Sequence, residues 1–230
     1  MSELYLSQLR LDPRHHLVQR ALADCHALHQ HLMTGLPTAA TDQARAEFGV
    51  LYRIDVDRAS GMPTLLVQTA ARPDWTRLGA SGLLRERAPE PKAIAAAYEA
   101  IAGGQRLRFR LRANPTRRVN QSRAGTDAKA GKRVEVRGED AQRAWFERKA
   151  EQSGFRVLDL GVRPGDALGP KQGGWRREDE ERRKLTFATV LFDGILEVTD
   201  AEQFRAALRQ GIGSGKAYGF GLLSVAPVQE

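Results

Sequence analysis

The chain has 230 residues, 41% of them hydrophobic and 28% charged, which is enough apolar material for one large core or two small ones and too much for wholesale disorder. No apolar run approaches the roughly 20 residues of a membrane span, and the opening MSELYLSQLRLDPRHH lacks the apolar core of a signal peptide. A soluble, cytoplasmic protein with no membrane partner is expected. The lone cysteine, Cys25, excludes an internal disulfide framework and any cysteine-cluster zinc site.

Residues 4–11 alternate weakly and predict a strand. Asp12-Pro13 supplies an N-cap and a first-turn proline. Leu17, Val18, Ala21, Leu22, Cys25, Leu28 and Leu32 follow at helical spacing, with Asp24 placed to cap a second, shorter helix. Residues 48–56 and 65–69 are β-rich around Ser60-Gly61-Met62-Pro63, a hairpin signal. Residues 91–103 are alanine-rich and predict a helix stopped by Gly103-Gly104, and 105–112 alternate as a strand. Residues 114–131 read as a linker or mobile loop. Beyond it come a strand at 133–137, a helix at 139–153, a strand at 155–162 and a long loop or hairpin over 164–183. Strong β character over 185–198, a helix capped by Thr199 or Asp200 and running through Gln210, and a last strand within 221–227 complete the chain. Both halves read βαββαβ, so the expected fold is α+β, two tandem ferredoxin-like (RRM-like) domains, 1–113 and 132–230, joined by 114–131.

Lysine and arginine total 36 against 28 acids, a net charge of +8, and arginine supplies 29 of the 36. Arginine forks match phosphate oxygens and stack on bases. A GC-rich genome also inflates arginine, so position is more telling than number. Between Gln105 and Arg133 stand ten basic residues and one acid, Asp127. Arg106, Arg108, Arg110 and Arg112 alternate with Leu107, Phe109 and Leu111, giving a strand with one basic and one apolar face. Such arginines repel unless a polyanion, or acids elsewhere in the fold, neutralise them. With Arg117 and Arg118 just beyond, a phosphate backbone is the favoured ligand. Residues 164–183 carry Lys171, Arg176, Arg177, Arg182 and Arg183 around the acids 178–181. Such a loop can enter the groove of an RNA stem, with recognition by hairpin shape and a few arginine contacts.

Residues 211–221, GIGSGKAYGFG, hold five glycines in eleven positions, more than a tight helix-to-strand connection requires. Glycine lets a backbone approach a phosphate or another chain closely. The Gly215-Lys216 pair is not a nucleotide P-loop: Gln210 and Ala217 occupy two required positions, and the loop follows a helix and precedes a strand. GIGSGKAYGFGLLSVAP instead resembles the glycine-rich signature of the RAMP superfamily. More specifically it resembles the CasE family, the CRISPR repeat-RNA endoribonucleases of type I-E systems. YLSQLRLDPR, LRFRLRANPTRR and FDGILEVTD match that family in the same order along the chain.

The resemblance implies tandem ferredoxin-like domains, binding of a CRISPR repeat RNA hairpin, retention of the mature crRNA and association with the other subunits of the type I-E surveillance complex. Cleavage of RNA without a metal uses the substrate's own 2′-hydroxyl as nucleophile. The protein must align it, move two protons and stabilise charge. Histidine suits the proton steps. From spacing alone His26 and His29, neighbours on one side of a helix, read as surface or satisfied residues. In ALADCHALHQHL, however, His29 matches the family's catalytic histidine, which implies a general acid or base for cleavage to a 2′,3′-cyclic phosphate and a 5′-hydroxyl. His26 stands where many relatives have tyrosine. Two roles are open to it, positioning of the 2′-hydroxyl or a second acid–base group, and the second is preferred.

His15 and His16 follow Arg14, a candidate RNA contact, in the first helical turn, where backbone phosphate or solvent suits them better than catalysis. Lys184 is the candidate for transition-state charge. Lys216, with Gly213, Ser214 and Gly215, and Lys171 are candidates for backbone phosphate. The His26–His29 pair lacks the third and fourth ligands of a zinc site, so no metal and no cofactor is expected. The competing reading is a non-catalytic RNA-binding subunit of the RAMP superfamily, which would share the fold and differ mainly at His29.

Overall fold

The computed structural model describes residues 3–23, 25–41, 44–57, 59–118, 133–165 and 189–228, with backbone only at residues 21, 23, 25 and 26. Alternation starts the first sheet. In β1 (Tyr5–Arg10), Tyr5, Ser7 and Leu9 point inward while Gln8 and Arg10 are exposed. Helices α1 (His16–Ala23), α2 (Cys25–Met33) and the short α3 (Ala44–Glu47) follow, then the hairpin of β2 (Leu51–Val56) and β3 (Pro63–Thr69). After α4 (Thr76–Ala80), β4 (Lys92–Ala93) and α5 (Ala95–Glu99), the sheet is complete in the order β2-β3-β1-β4, antiparallel at each pairing. Val18, Leu28 and Leu32 of the helices bury against Leu9, Tyr52, Leu65 and Val67 of the strands.

The second unit comprises β5 (Arg106–Ala113), a small hairpin of β6 (Thr116–Arg118) and β7 (Arg133–Glu135), α6 (Glu139–Glu151), β8 (Phe155–Pro164), β9 (Val190–Val198), α7 (Ala201–Gln210) and β10 (Leu223–Pro227). Its sheet order is β10-β5-β9-β8. Both orders are those of a ferredoxin-like fold, and the chain is α+β with two such units in tandem. Phe146 of α6 lies between Phe109 (5.3 Å) and Phe192 (4.7 Å), and Phe155 meets Phe204 edge-on at 5.5 Å. Asp200 caps α7, accepting from the Gln203 amide at 3.0 Å as its sequence position predicts. Among the described residues no helix is long and apolar enough to cross a membrane.

Three features differ from the sequence reading. The strand assigned to the first domain, β5, is the second strand in the order of the second sheet, so that unit begins near Arg106 rather than at 132. Periodicity tells which face of a strand is apolar but not which strand lies beside it, and Leu107, Phe109 and Leu111 pack with the aromatics of α6 and β9. The fourth strand of the first unit is the two-residue β4, paired with Tyr5 and Leu6, which shortens the predicted 91–103 helix to α5. Residues 114–118, read as the start of a linker, are instead ordered. Asn114 bridges to Ser214, and β6 pairs with β7, the segment read as the second unit's first strand.

Buried polar side chains fasten the two units together. Gln68 of β3, fully buried, donates its amide to the Leu208 and Arg209 carbonyls at the end of α7 (3.0 and 3.4 Å) and accepts from the Tyr98 hydroxyl at 2.9 Å. Burial pushes the Tyr98 phenol up to about 12, with the Arg209 charge opposing. Gln68→Leu leaves the Tyr98 hydroxyl and a helix-end carbonyl buried without this partner, and we expect it to lower the unfolding free energy in urea by about 2–4 kcal/mol. Adding Tyr98→Phe removes one of the orphaned groups, so the double variant loses less than the sum of the two single variants.

Candidate cleavage site and nucleic-acid interface

Helix α2 is seated by Leu28 and Leu32, both in the first core. His29, next to Leu28, is half-buried with its Nδ1 inside. The same helix packs against the 3₁₀ turn Lys216–Tyr218 at the centre of the glycine loop. A histidine-bearing helix of the first unit and the phosphate-candidate loop of the second therefore meet, although more than 180 residues separate them in sequence.

Tyr52 of β2 holds that loop in place. Its hydroxyl donates to the Ala217 carbonyl at 2.9 Å, and its ring lies where a side chain at residue 219 would begin (3.0 Å). Gly219 also has φ +82°, so glycine is required there for both contact and conformation. On the other flank the Ser214 hydroxyl donates to the Asn114 carbonyl (3.3 Å) and lies 3.3 Å from the Thr116 hydroxyl, and Trp145 Nε1 donates to the Thr116 carbonyl at 3.2 Å. These bonds place β6, with its exposed Arg117 and Arg118, beside Gly213 and Ser214.

Lys216 is half-buried, and its ammonium is held below the ordinary lysine value, first by burial and then by the charges of Arg45 on α3 and Lys149 on α6. Lys149 donates to Gln152 (2.9 Å) and Arg45 to the Val50 carbonyl (3.3 Å). Among the described residues no carboxylate forms an ion pair with any of the three. A cluster of cations without an acid favours an anion in front of it. Sequence gives no hint of Arg45 or Lys149: Arg45 reaches Lys216 from the first unit by docking, and Lys149 reaches it from α6 through the tertiary packing of the second unit.

Other candidates lie elsewhere. Arg106, Arg108 and Arg110 are exposed on the face of the second sheet opposite α6 and α7, away from the glycine loop. The expectation that Arg112 joins them is corrected. It is only 5% exposed, donates to the Ile54 carbonyl at 3.1 Å and sits over the Phe220 ring, because at this end of β5 the first unit covers the sheet. Arg14 is exposed in the turn before α1, its amide bonded to Asp12. Lys171, Arg176, Arg177 and Lys184 lie outside the described residues, as does the side chain of His26, whose backbone is in α2. Among the described residues no three His, Cys, Asp or Glu side chains cluster as a metal site would require.

Fold and site together define a tandem ferredoxin-like protein whose glycine-rich, lysine-bearing loop is shared between its two units. The chain belongs to the family described as CRISPR associated protein, whose model matches residues 4–227. It is 36% identical over 238 aligned positions to the CRISPR-associated endoribonuclease Cse3 of Thermus thermophilus, covering 97% of this chain and all of that one. It is 28% identical to the CRISPR system Cascade subunit CasE of Escherichia coli, covering 98% and all of it. The structure of T. thermophilus Cse3 bound to an RNA representing a pre-cleavage complex superposes with a TM-score of 0.76 at 36% identity, covering 98% of this chain and all of that chain.

With its value depressed, burial of the charged Lys216 ammonium opposes folding. That penalty fades as pH rises from the folded value toward the ordinary lysine value of 10.5. Lys216→Met is expected to raise the thermal midpoint at neutral pH, with the gain shrinking as pH rises toward the ordinary lysine value of 10.5. The same variant is expected to weaken binding of a repeat hairpin RNA by about tenfold or more, the worth of a charge-assisted phosphate contact.

Proposed function

We propose that the chain is a metal-independent endoribonuclease that cleaves CRISPR precursor RNA at the repeat hairpin and keeps the mature crRNA as a subunit of the type I-E surveillance complex, acting in the cytoplasm. The observation that carries this reading is the packing of the His29 helix against the lysine-bearing turn of the glycine loop, an acid–base group beside an anion site. The relatives' names, an endoribonuclease and a Cascade subunit, support it.

The chemistry needs no nucleophile from the protein. The 2′-oxygen loses its proton and bonds to the adjacent phosphorus. The bond from phosphorus to the 5′-oxygen breaks, and that oxygen takes a proton, leaving a 2′,3′-cyclic phosphate and a 5′-hydroxyl. His29 performs one of the two proton transfers and His26 the other. Lys216 binds backbone phosphate with Ser214 and the flanking glycines, and Arg117 and Arg118 extend that contact along the RNA. Lys184 is assigned to charge on the transition state.

In excess EDTA, wild type is expected to cut its repeat hairpin at one position and leave a cyclic phosphate. His29→Ala is expected to slow single-turnover cleavage by roughly 10²–10⁴-fold while hairpin affinity changes less than about threefold. A 2′-deoxy substitution at the nucleotide before the scissile phosphate abolishes cutting by wild type. Tight binding with no cleavage by wild type would move the chain to the RNA-binding reading, and equal cleavage by both proteins would remove His29 from the mechanism.

A further inference from the structure

The arginines of β5 face the side of the second sheet that its helices leave open, and the cleavage site does not use them. Acids on β9 organise them. Glu197 receives both Arg106 (3.5 Å) and Arg156 (2.8 Å), and Asp193 receives both Arg110 (3.5 Å) and Arg163. Each acid is thus shared by two guanidinium groups. Arg108 lies between these two groups, exposed and without an ion pair among the described residues. Arg53, buried at the side of the face, is neutralised by Asp55 at 2.9 Å.

In front of Arg108 is a hollow of about 770 Å³, within the range of pockets that hold small organic ligands. Arg53, Arg108 and Arg110 line it, together with Gly161, Ile195 and Ala226, which contribute small or apolar groups. Asp159 and Asp193 also line it. Among the described residues, the hollow and the ion pairs beside it hold six arginines (53, 106, 108, 110, 156, 163) against five acids (55, 57, 159, 193, 197), a cationic balance.

An anion with a repeating charge and flat apolar parts fits these features. Exposed arginines recur at every second residue of β5, about 6.7 Å apart along a strand. That interval suits successive phosphates of an extended, unpaired strand. Guanidinium planes and a floor of small and aliphatic groups accept bases, whereas an acidic peptide would use the charge and leave the floor empty. The first unit confines the hollow, since Arg53 of β2 donates to the Arg110 carbonyl (3.1 Å) and the Ser224 hydroxyl (2.8 Å). One strand fits such a space better than a duplex.

We propose that the open face of the second sheet, centred on Arg108, is a second RNA site that binds an unpaired stretch flanking the hairpin, on the opposite side of the sheets from the cleavage site. This rests on the reading that the hairpin itself occupies the glycine loop and α2.

The test compares fluorescent repeat hairpin alone, the hairpin with an oligouridine extension of roughly ten nucleotides on its 5′ or 3′ side, and the oligouridine by itself. Wild type and Arg108→Glu are titrated at several salt concentrations. For wild type, an extension on one side tightens binding about tenfold and steepens the salt dependence by about 0.7 per phosphate engaged. Arg108→Glu, exposed and expected to keep its thermal midpoint, loses both increments and weakens binding of free oligouridine. An extension that adds nothing to a hairpin that is bound and cut would overturn this site and leave the cleavage reading standing. A hairpin neither bound nor cut would overturn the cleavage reading, while the free oligouridine would still judge the face. Displacement by oligoglutamate, with no binding of oligouridine, would assign the face to an acidic partner and overturn the proposal.

Discussion

Two consecutive residues of β2, Tyr52 and Arg53, set where the chemistry of this molecule can lie. A strand sends neighbouring side chains to opposite faces. Tyr52 reaches the helical side and fixes the glycine loop through the Ala217 carbonyl. Arg53 reaches the other side and ties β5 to β10 through the Arg110 carbonyl and the Ser224 hydroxyl. Slipping β2 by one residue against β3 would drive a guanidinium into the first apolar core and withdraw the phenol from the loop. One register, set by pairing such as Arg53 with Leu66, therefore decides which face carries the acid–base helix and which carries the arginines.

The two faces handle positive charge differently. On the open face of the second sheet the acids are shared, so the guanidinium groups are fixed in place and only part of their charge is cancelled. Around Lys216 no carboxylate forms an ion pair among the described residues, and burial first, then the charges of Arg45 and Lys149, hold the lysine below its ordinary value. Preorganised, uncompensated charge of that kind is suited to an oxyanion or phosphate brought in by a substrate, because the electrostatic work of assembling it is done when the protein folds. The arginine face suits a longer, weaker and more salt-sensitive contact.

Much of the fold was legible in the sequence, and the losses have physical causes. The hairpin around Gly61, the capped helix after Asp200 and the apolar face of β5 are local signals that tertiary packing left intact. β4 is two residues long and owes its existence to β1, so no local pattern announces it. The arginine alternation correctly oriented Arg106, Arg108 and Arg110 but failed at Arg112. Period-two patterning reports the face of a strand, and there the face is covered by the other unit. His29 was singled out only through family resemblance, since its spacing alone describes an ordinary helix residue, and the structure places it half-buried on α2. Arg45 is brought to Lys216 by docking of the units and Lys149 by the folding of α6 onto the second sheet, and neither leaves a trace in the local sequence pattern.

The density of glycine between residues 211 and 221 has a fuller explanation in the structure than phosphate approach alone. A side chain at 211 would begin 2.8 Å from Leu51, at 213 it would meet Trp145 at 3.3 Å, at 215 Phe220 at 2.9 Å, and at 219 Tyr52 at 3.0 Å. Four of the five glycines thus make room for large apolar side chains drawn from both units, and this packing seats the loop against β2, which among the described residues is an edge strand paired with β3. Covering that edge removes a liability for pairing with other chains. What remains for ligand binding is more specific than a glycine-rich loop as such. It is the Ser214 hydroxyl and the half-buried Lys216 ammonium, in a turn that packs against α2. A glycine loop with the same packing but no lysine would complete the fold equally well, so the glycines are explained by packing and the proposed anion contact rests on Lys216 and its two cationic neighbours.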